Sequence, residues 1–199
     1  MSAQVMGHST SVEQMFDMNS TCIPGVKVIR SRIHEDVRGR FVKVFHRDAF
    51  HSVGLQAEYA ESFYSVSRRH VIRGLHFQIP PMAHAKLVSC VQGRIQDAVV
   101  DLRRGSPTYG QYAVTELSAE TGNVLYIPHG IAHGFCTLSE TAVVVYHVSS
   151  LYSPEHDRGV RWDSADIPWA VNSPIMSDRD QSFPPLTAFV SPFAYGVET

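Results

Sequence analysis

Short apolar segments alternate with turn residues along most of the chain. Each segment is rich in Val, Ile, Tyr or Phe, and Gly, Pro, Asn or Ser separates it from the next. Many short strands at such spacing predict an antiparallel sandwich or barrel, so we expect an all-β fold. The predicted strands are VKVIRSRIH (26–34), GRFVKVFHR (39–47), VIRGLHFQIP (71–80), HAKLVSCV (84–91), GRIQDAVVDLR (93–103), QYAVTEL (111–117), NVLYIP (123–128), GFCTL (134–138) and AVVVYHVSS (142–150).

The two ends of the chain depart from this pattern. Residues 1–21 are rich in Ser, Met, Gln and Thr, and we interpret them as an N-terminal extension that is either disordered or an arm for dimerisation. A short helix is predicted over residues 11–18, and a second over residues 47–53. One domain is expected over residues 22–190, followed by a tail of residues 191–199.

The segment after Tyr152 is rich in Pro and Asp and has no regular apolar period. Large apolar side chains nevertheless occur in it, and these need burial. We therefore expect an irregular, partly helical C-terminal segment that packs over the barrel. The side chains are Trp162, Ile167, Trp169 and Ile175.

Composition and charge exclude several classes of protein. Hydrophobic residues make up 44% of the 199 residues and the formal net charge is -2, which is typical of a globular protein and argues against a protein that binds nucleic-acid phosphates. The three cysteines are too few and too widely spaced for a disulfide framework, and Cys90 and Cys136 lie in apolar segments typical of a core. Neither a signal peptide nor a membrane span is predicted, so we expect a cytoplasmic protein.

Two of the eleven histidines stand in motifs that suggest chemistry. His133 completes Pro-x-Gly-x-x-His, the second half of the cupin-barrel signature, which places a turn before it and directs it into the barrel mouth. His76 lies in RGLHFQ, but the His-x-His of a metal-binding cupin is missing because Gln78 stands two residues later. His84 lies beyond a Pro-Pro turn, so a set of three or four ligands does not assemble. We predict a metal-free cupin in which His76 is a base.

Longer motifs resemble one enzyme family. The segments are DVRGRF, RGLHFQ, KLVSCVQGRIQDAVVDLRRGSPTYGQY, LSAETGNVLYIPHGIAHGF, YHVSSLYSPE and SDRD, and they run from about Ile29 to Leu186. They resemble the dTDP-4-dehydrorhamnose 3,5-epimerase family. The resemblance implies a jelly-roll barrel, a homodimer, neither metal nor cofactor, and a nucleotide-linked 4-keto-6-deoxyhexose as substrate.

The resemblance also implies a catalytic set of four residues. Epimerising a carbon next to a ketone needs a base, a group that stabilises the enolate, and an acid on the other face. His76 matches the family's base and Asp180 the carboxylate that orients it. Lys86 matches the lysine beside the ketone oxygen. Tyr146 matches the acid, whose phenol is protonated at working pH.

Cations and a carboxylate match the family's substrate-binding positions. Arg73 matches an arginine that faces the diphosphate or sugar, although three residues along a strand would place it on the face opposite His76 unless Gly74 allows a bulge. Arg38, in DVRGRF, matches a ligand-side arginine that is expected to reach across a dimer. His133 and Arg179 match further substrate-contacting positions, and Asp157 stands where the family often has glutamate.

Three positions depart from the family's pattern. Lys43 stands where the family usually has glutamate, and Glu61 and Phe63 replace a Gln-x-Asn pair at the nucleotide end. Phe63 is equally consistent with stacking on a base and with a place in the core. The catalytic set is kept while the recognition set differs, so we hypothesise a substrate with a different nucleotide or sugar. Whether the nucleotide is dTDP, CDP or GDP, and whether C3, C5 or both are inverted, stays open.

Three other functions are compatible with a cupin barrel. A 3,4-ketoisomerase would share the barrel and the histidine base, but the combination of RGLH, KLV and Tyr146 favours an epimerase. A sugar-nucleotide-binding cupin without activity would have no need of the His76–Asp180 pair. A metal-dependent oxygenase is disfavoured by Gln78.

Overall fold

Residues 15–196 are described by the structure, a computed structural model. Its elements are β1 (Phe16–Ser20), β2 (Lys27–Ser31), β3 (Ile33–Asp36), β4 (Gly39–Val42), α1 (Arg47–Ser52), β5 (Glu61–Arg68), β6 (Ile72–Gln78), β7 (Lys86–Gln92), β8 (Arg94–Asp101), β9 (Tyr112–Ser118), β10 (Asn123–Ile127), β11 (Ile131–Thr137), β12 (Thr141–Val148), β13 (Asp157–Gly159), α2 (Asp178–Gln181) and a 3₁₀ helix (Leu186–Ala188).

Two antiparallel sheets face each other and form the predicted jelly-roll barrel. One has six strands in the order β1-β2-β10-β7-β12-β5, and the other has five in the order β13-β6-β11-β8-β9. Burial alternates along β12 of the six-stranded sheet: Ala142, Val144, Tyr146 and Val148 are buried, while the residues between them are partly exposed. Side chains alternate across a strand, so the buried set faces the space between the sheets. The all-β cupin prediction is confirmed.

Packing continues on the outer faces of both sheets. The C-terminal segment covers the five-stranded sheet, where Val160, Ile167 and Phe193 pack against Leu75 and Val100. This confirms that the segment wraps over the barrel. Helix α1 covers the six-stranded sheet, and its Phe50 is fully buried beside residues of β1, β2, β7 and β10.

The structure corrects several boundaries. The predicted strand 26–34 divides into β2 and β3, because β3 leaves the large sheet and pairs only with β4 in a separate hairpin. The predicted strand 39–47 ends at Val42, and the helix predicted over 47–53 is present as α1. Strand β11 begins three residues before the predicted GFCTL segment and includes His133.

Two predictions about the ends of the barrel are wrong. The helix predicted over residues 11–18 does not continue past Met15, since Phe16–Ser20 is a strand that pairs with β2, while residues 11–14 lie outside the described part. Ile175 is 59% exposed instead of buried. Its backbone bonds to His70 and Ile72, and this pairing holds the segment in place without burying the side chain.

Candidate active site

A bulge in β6 brings Arg73 and His76 to the same side of the strand. His76 pairs with His133 and Arg73 with Phe135, so β6 carries one residue more than β11 over this interval. Gly74 occupies the bulge at a φ of +137°, and a Cβ there would come within 2.5 Å of the Gly134 Cα. Only glycine fits that backbone and that approach. The bulge predicted from Gly74 is therefore confirmed, and Arg73 and His76 line one cavity.

The cavity lies between the two sheets at the barrel mouth and has a volume of about 520 Å³. It is large enough for a small-molecule ligand. Nine of the twelve residues predicted for the site line it. These are His76, Lys86, Tyr146, Arg73, His133, Asp157, Arg179, Phe63 and Glu61.

Asp180 lies behind His76 and orients it. The His76 Nε2 is 2.8 Å from Asp180 Oδ1, and the Gly74 N–H donates to Oδ2 at 3.1 Å. Asp180 is placed by α2, whose first turn is capped by Ser177. Burial would raise the pKa of Asp180, but the hydrogen bonds from His76, Gly74 and Ser177 outweigh it and leave that pKa below its usual value. The ionised carboxylate accepts from Nε2–H, which leaves Nδ1 of His76 as the basic nitrogen.

Lys86 begins β7 and is almost fully buried. Its Nζ donates to the backbone oxygen of His76 at 3.0 Å, which places the ammonium beside the predicted base. Burial lowers the pKa of Lys86 to about 8, against the opposing effect of the Asp157 and Asp97 charges. The lysine can therefore change its charge close to neutral pH.

Tyr146 projects into the cavity from β12, in the sheet opposite His76. Its ring stacks on Phe63, the cross-strand partner on β5, with centroids 4.9 Å apart and an interplanar angle of 19°. The His133 ring contacts it edge to face at 6.1 Å. Burial raises the pKa of Tyr146 well above its ordinary value, so the phenol keeps its proton.

Asp97 forms a second imidazole–carboxylate pair that the sequence analysis missed. The His133 Nε2 is 2.8 Å from Asp97 Oδ2, and both side chains are buried. Burial raises the pKa of Asp97 and lowers that of His133, because each charged form loses hydration. Strand alternation within GRIQDAVVDLR was the signal for it, since Asp97 shares a face with Val99 and Ile95, both in the core between the sheets.

Charged and aromatic groups surround the cavity mouth. Arg73 Nε donates to Ser67 Oγ at 2.9 Å and Nη2 donates to the Val66 backbone oxygen at 3.4 Å, while the residue as a whole is exposed. Arg179 pairs with Asp157 and lies over the Phe183 ring at 5.1 Å. Glu61 accepts the N–H of Tyr152 at 3.0 Å, which ties the loop after β12 to β5. An anionic ligand would meet two guanidinium groups at this rim.

Arg38 and Lys43 are not brought to the cavity within the single chain. Arg38 lies in the turn of the β3–β4 hairpin, where its side chain is 86% exposed and pairs with Asp36. Lys43 follows β4 and is also exposed. Within residues 15–196, no group of three or more His, Cys, Asp or Glu side chains could hold a metal ion. None of the helices in that range has the length and apolar content that would span a membrane.

Comparison with known proteins identifies the family. The family model described as dTDP-4-dehydrorhamnose 3,5-epimerase matches residues 20–188. The dTDP-4-dehydrorhamnose 3,5-epimerase of Shigella flexneri is 42% identical over 163 residues, which cover 80% of this chain and 90% of that protein.

Two solved structures share the fold. The 3,5-epimerase of Legionella pneumophila, in complex with dTDP-4-keto-L-rhamnose, matches with a TM-score of 0.84 and 31% identity over 88% of this chain and 95% of that one. A 3'-monoepimerase of Streptomyces bikiniensis, in complex with dTDP-quinovose, matches with a TM-score of 0.82 and 33% identity over 85% of this chain and 88% of that one. The chain belongs to the dTDP-4-dehydrorhamnose 3,5-epimerase family and is a carbohydrate epimerase with the cupin-type jelly-roll fold.

Proposed function

We propose that the protein epimerises a dTDP-linked 4-keto-6-deoxyhexose at C3, C5 or both, by proton removal on one face of the sugar and proton return on the other. The observation that carries this proposal is the position of His76 and Tyr146 on opposite sheets across one cavity. Sheets that pack face to face lie about 10 Å apart, which leaves room for a pyranose ring between the two side chains. Relatives with bound dTDP-sugars support the substrate class.

His76 removes the proton from the carbon next to the ketone. Asp180 accepts from Nε2–H and stabilises the imidazolium that forms, while Nδ1 takes the proton. The electron pair of the C–H bond moves into the C–C bond, and the C4 carbonyl oxygen gains a negative charge.

Lys86 stabilises that enolate oxygen. An ammonium in a buried site interacts strongly with the developing charge, since little solvent screens it. The hydrogen bond to the His76 backbone holds Nζ at the floor of the cavity in advance of the reaction.

Tyr146 returns a proton from the opposite face. The phenol O–H donates its proton to the carbon, the enolate collapses to the ketone, and the configuration is inverted. Tyrosinate and imidazolium are left, and exchange with solvent restores both. Burial keeps the pKa of Tyr146 high, so the phenol enters each cycle protonated.

The nucleotide end is expected at the cavity mouth. Arg73 and Arg179 are placed to bind the diphosphate, as planar guanidinium groups suit phosphate oxygens. Phe63 is 48% exposed and offers an aromatic surface at the same rim. Glu61 supports the rim through Tyr152.

We also propose that the active unit is a homodimer in which the β3–β4 hairpin completes the partner's site. The hairpin belongs to neither large sheet, and it exposes Ile33, Val37 and Phe41 by 36%, 105% and 63%. Exposed apolar groups on one projecting element are typical of an interface. Such an interface would bring Arg38 and Lys43 to a substrate that they do not reach in their own chain. A cytoplasmic location stays a prediction.

Proton exchange in heavy water tests the proposal. With dTDP-4-keto-6-deoxyglucose, NMR should show deuterium entering at C3, C5 or both, and His76→Ala should slow this by more than about 10³-fold. His51→Ala, which removes an exposed histidine on α1, is the matched control. Tyr146→Phe should keep the exchange but lose inversion at the carbon that Tyr146 protonates, because His76 then returns deuterium to the original face.

Each other result has a definite meaning. Exchange at one carbon identifies a mono-epimerase. Migration of the ketone from C4 to C3 would identify a ketoisomerase instead. Binding of the nucleotide sugar without exchange would overturn the proposal in favour of a binding protein.

A further inference from the structure

The position beside His76 on the neighbouring strand carries no side chain. Gly159 of β13 pairs with His76 of β6, and directly opposite residues of an antiparallel pair project on the same face of the sheet. A side chain at residue 159 would therefore lie next to the imidazole. Because the residue is glycine, the space beside the predicted base is open to another segment of the chain.

Phe183 fills that space. A Cβ built on Gly159 would come within 2.3 Å of the Phe183 ring, so the ring occupies the volume of the missing side chain. The backbone of Gly159 does not have a positive φ, so the packing of Phe183, and not the backbone conformation, is what favours glycine here. The Phe183 ring contacts the His76 ring edge to face, with centroids 5.7 Å apart and an interplanar angle of 78°. This geometry is typical of a stabilising aromatic pair.

One short segment thus supplies two contacts to the base. Asp180, on α2, meets Nε2 of His76, and Phe183, three residues later, packs against the side of the same ring. The Arg179 guanidinium lies over the Phe183 ring, with its central carbon 5.1 Å from the centroid, and also pairs with Asp157. A cation over an aromatic face is attracted to it, so Arg179 helps to hold the Phe183 ring in place.

We propose that Phe183 is a positioning residue for His76 and keeps Nδ1 directed at the sugar. This inference rests on the proposed epimerase function. A single hydrogen bond from Nε2 to Asp180 leaves the imidazole able to tilt about that contact, and Phe183 limits the tilt from one side. Proton transfer slows steeply when the reacting atoms are displaced by about 1 Å. Among residues 15–196, those that line the cavity do not include Phe183, so it acts through His76 and not on the substrate.

Substitutions at Gly159 and Phe183 test this packing from both sides. Gly159→Ala introduces a methyl group that displaces the ring, and Phe183→Ala removes the ring. We expect either change to lower kcat for exchange by about tenfold to thirtyfold, because the base loses its orientation. KM should change by less than about threefold, since Arg179 keeps its ion pair with Asp157. Phe183→Leu, which refills most of the space, should restore kcat to within about threefold of the natural protein.

The double variant separates positioning from general packing. Once Phe183→Ala has removed the ring, the methyl group of Gly159→Ala has room, so it should lower kcat by no more than about a further twofold. Phe189→Ala is the matched control, because Phe189 is also half-buried in the C-terminal segment and also makes an edge-to-face contact, but with Phe77. It should lower Tm and leave kcat within about twofold of the natural protein.

The failure of this inference differs from the failure of the proposed function. If the natural protein exchanges the sugar protons and Phe183→Ala does so within about threefold of its kcat, the inference is overturned while the epimerase proposal stands. A raised KM with kcat unchanged would place Phe183 in substrate binding through Arg179 and would also overturn it. If the natural protein does not exchange, both proposals fail.

A purely structural role of Phe183 would have its own signature. Losses of kcat that multiply in the double variant, or equal losses in Phe183→Ala and Phe183→Leu with a lowered Tm, would indicate general destabilisation and overturn the inference. Should Phe183→Ala not fold, Gly159→Ala replaces it, and a kcat within about threefold of the natural protein would then overturn the inference in the same way.

Discussion

Two imidazole–carboxylate pairs lie side by side in the five-stranded sheet and differ in their surroundings. His76 and His133 are cross-strand partners, and in each pair Nε2 lies 2.8 Å from an aspartate oxygen. The His76 side chain is 29% exposed to the cavity, whereas that of His133 is 4% exposed. Directly opposite residues share a face of the sheet, so both rings point into the barrel.

The second oxygen of each aspartate shows what the difference means. Asp180 Oδ2 accepts from the Gly74 N–H, while Asp97 Oδ1 is buried without a partner among the described residues. The pKa of Asp180 is accordingly lowered and that of Asp97 raised, although both carboxylates meet an imidazole at the same distance. The geometry of a pair therefore does not determine its role, because solvation and the remaining hydrogen bonds set the pKa of each carboxylate.

Asp180→Asn should produce the largest effect. The amide presents an N–H to Nε2 of His76 and forces the ring proton onto Nδ1, the atom that has to accept the sugar proton. We expect deuterium exchange to slow by about 10³- to 10⁴-fold, as in other pairs in which the carboxylate fixes the tautomer, with little change in Tm. Asp178→Asn, an exposed carboxylate on the same helix, is the matched control.

Asp97→Asn completes that comparison and should slow exchange by no more than about tenfold, because Asp97 does not orient the base. Comparable losses in Asp97→Asn and Asp180→Asn would contradict the division of roles between the two pairs.

Strand patterning in the sequence predicted the all-β fold, and the family resemblance predicted most of the residues that line the cavity. Tyr146 alternates with partly exposed neighbours along β12, and His133, which follows the turn, is directed inward. Strand β5 was not predicted, since most of its residues are exposed on this edge of the sheet and the apolar alternation is weak.

Contacts between segments distant in sequence could not be predicted from periodicity. Asp180 reaches His76 across 104 positions, and only the family resemblance indicated that contact. Asp97 pairs with His133 across 36 positions. Strand alternation places Asp97 on the inner face of the sheet, but neither that alternation nor the resemblance identifies His133 as its partner.

The pH dependence of exchange should show that the charge of Asp97, in the His133–Asp97 pair, raises the pKa of Lys86. The pKa of Lys86 is lowered to about 8, so its ammonium is lost as the pH rises through that value and kcat/KM should fall above it. Lys86→Arg keeps a cation to much higher pH, so the alkaline fall should disappear even though the rate is lower overall. The Asp97 charge raises the pKa of Lys86, so Asp97→Asn should move the fall to lower pH. An alkaline fall at the same pH in all three proteins would assign it to another group.

Substitution of Phe63 should have the smallest effect on the kinetics, because Phe63 is linked to the His133–Asp97 pair only through Tyr146. Its ring stacks on the phenol, which in turn contacts His133, and about half of its own surface is exposed at the cavity mouth. We expect Phe63→Leu to raise KM about fivefold, the loss of one weak aromatic contact with the nucleotide, and to change kcat by less than about threefold. Tyr64→Leu, the next residue on β5 and 69% exposed, should change neither constant. A large loss of kcat in Phe63→Leu with KM unchanged would instead show that the stacked Phe63 ring positions Tyr146. The contact of Tyr146 with His133 would then link the His133–Asp97 pair to the return of the proton.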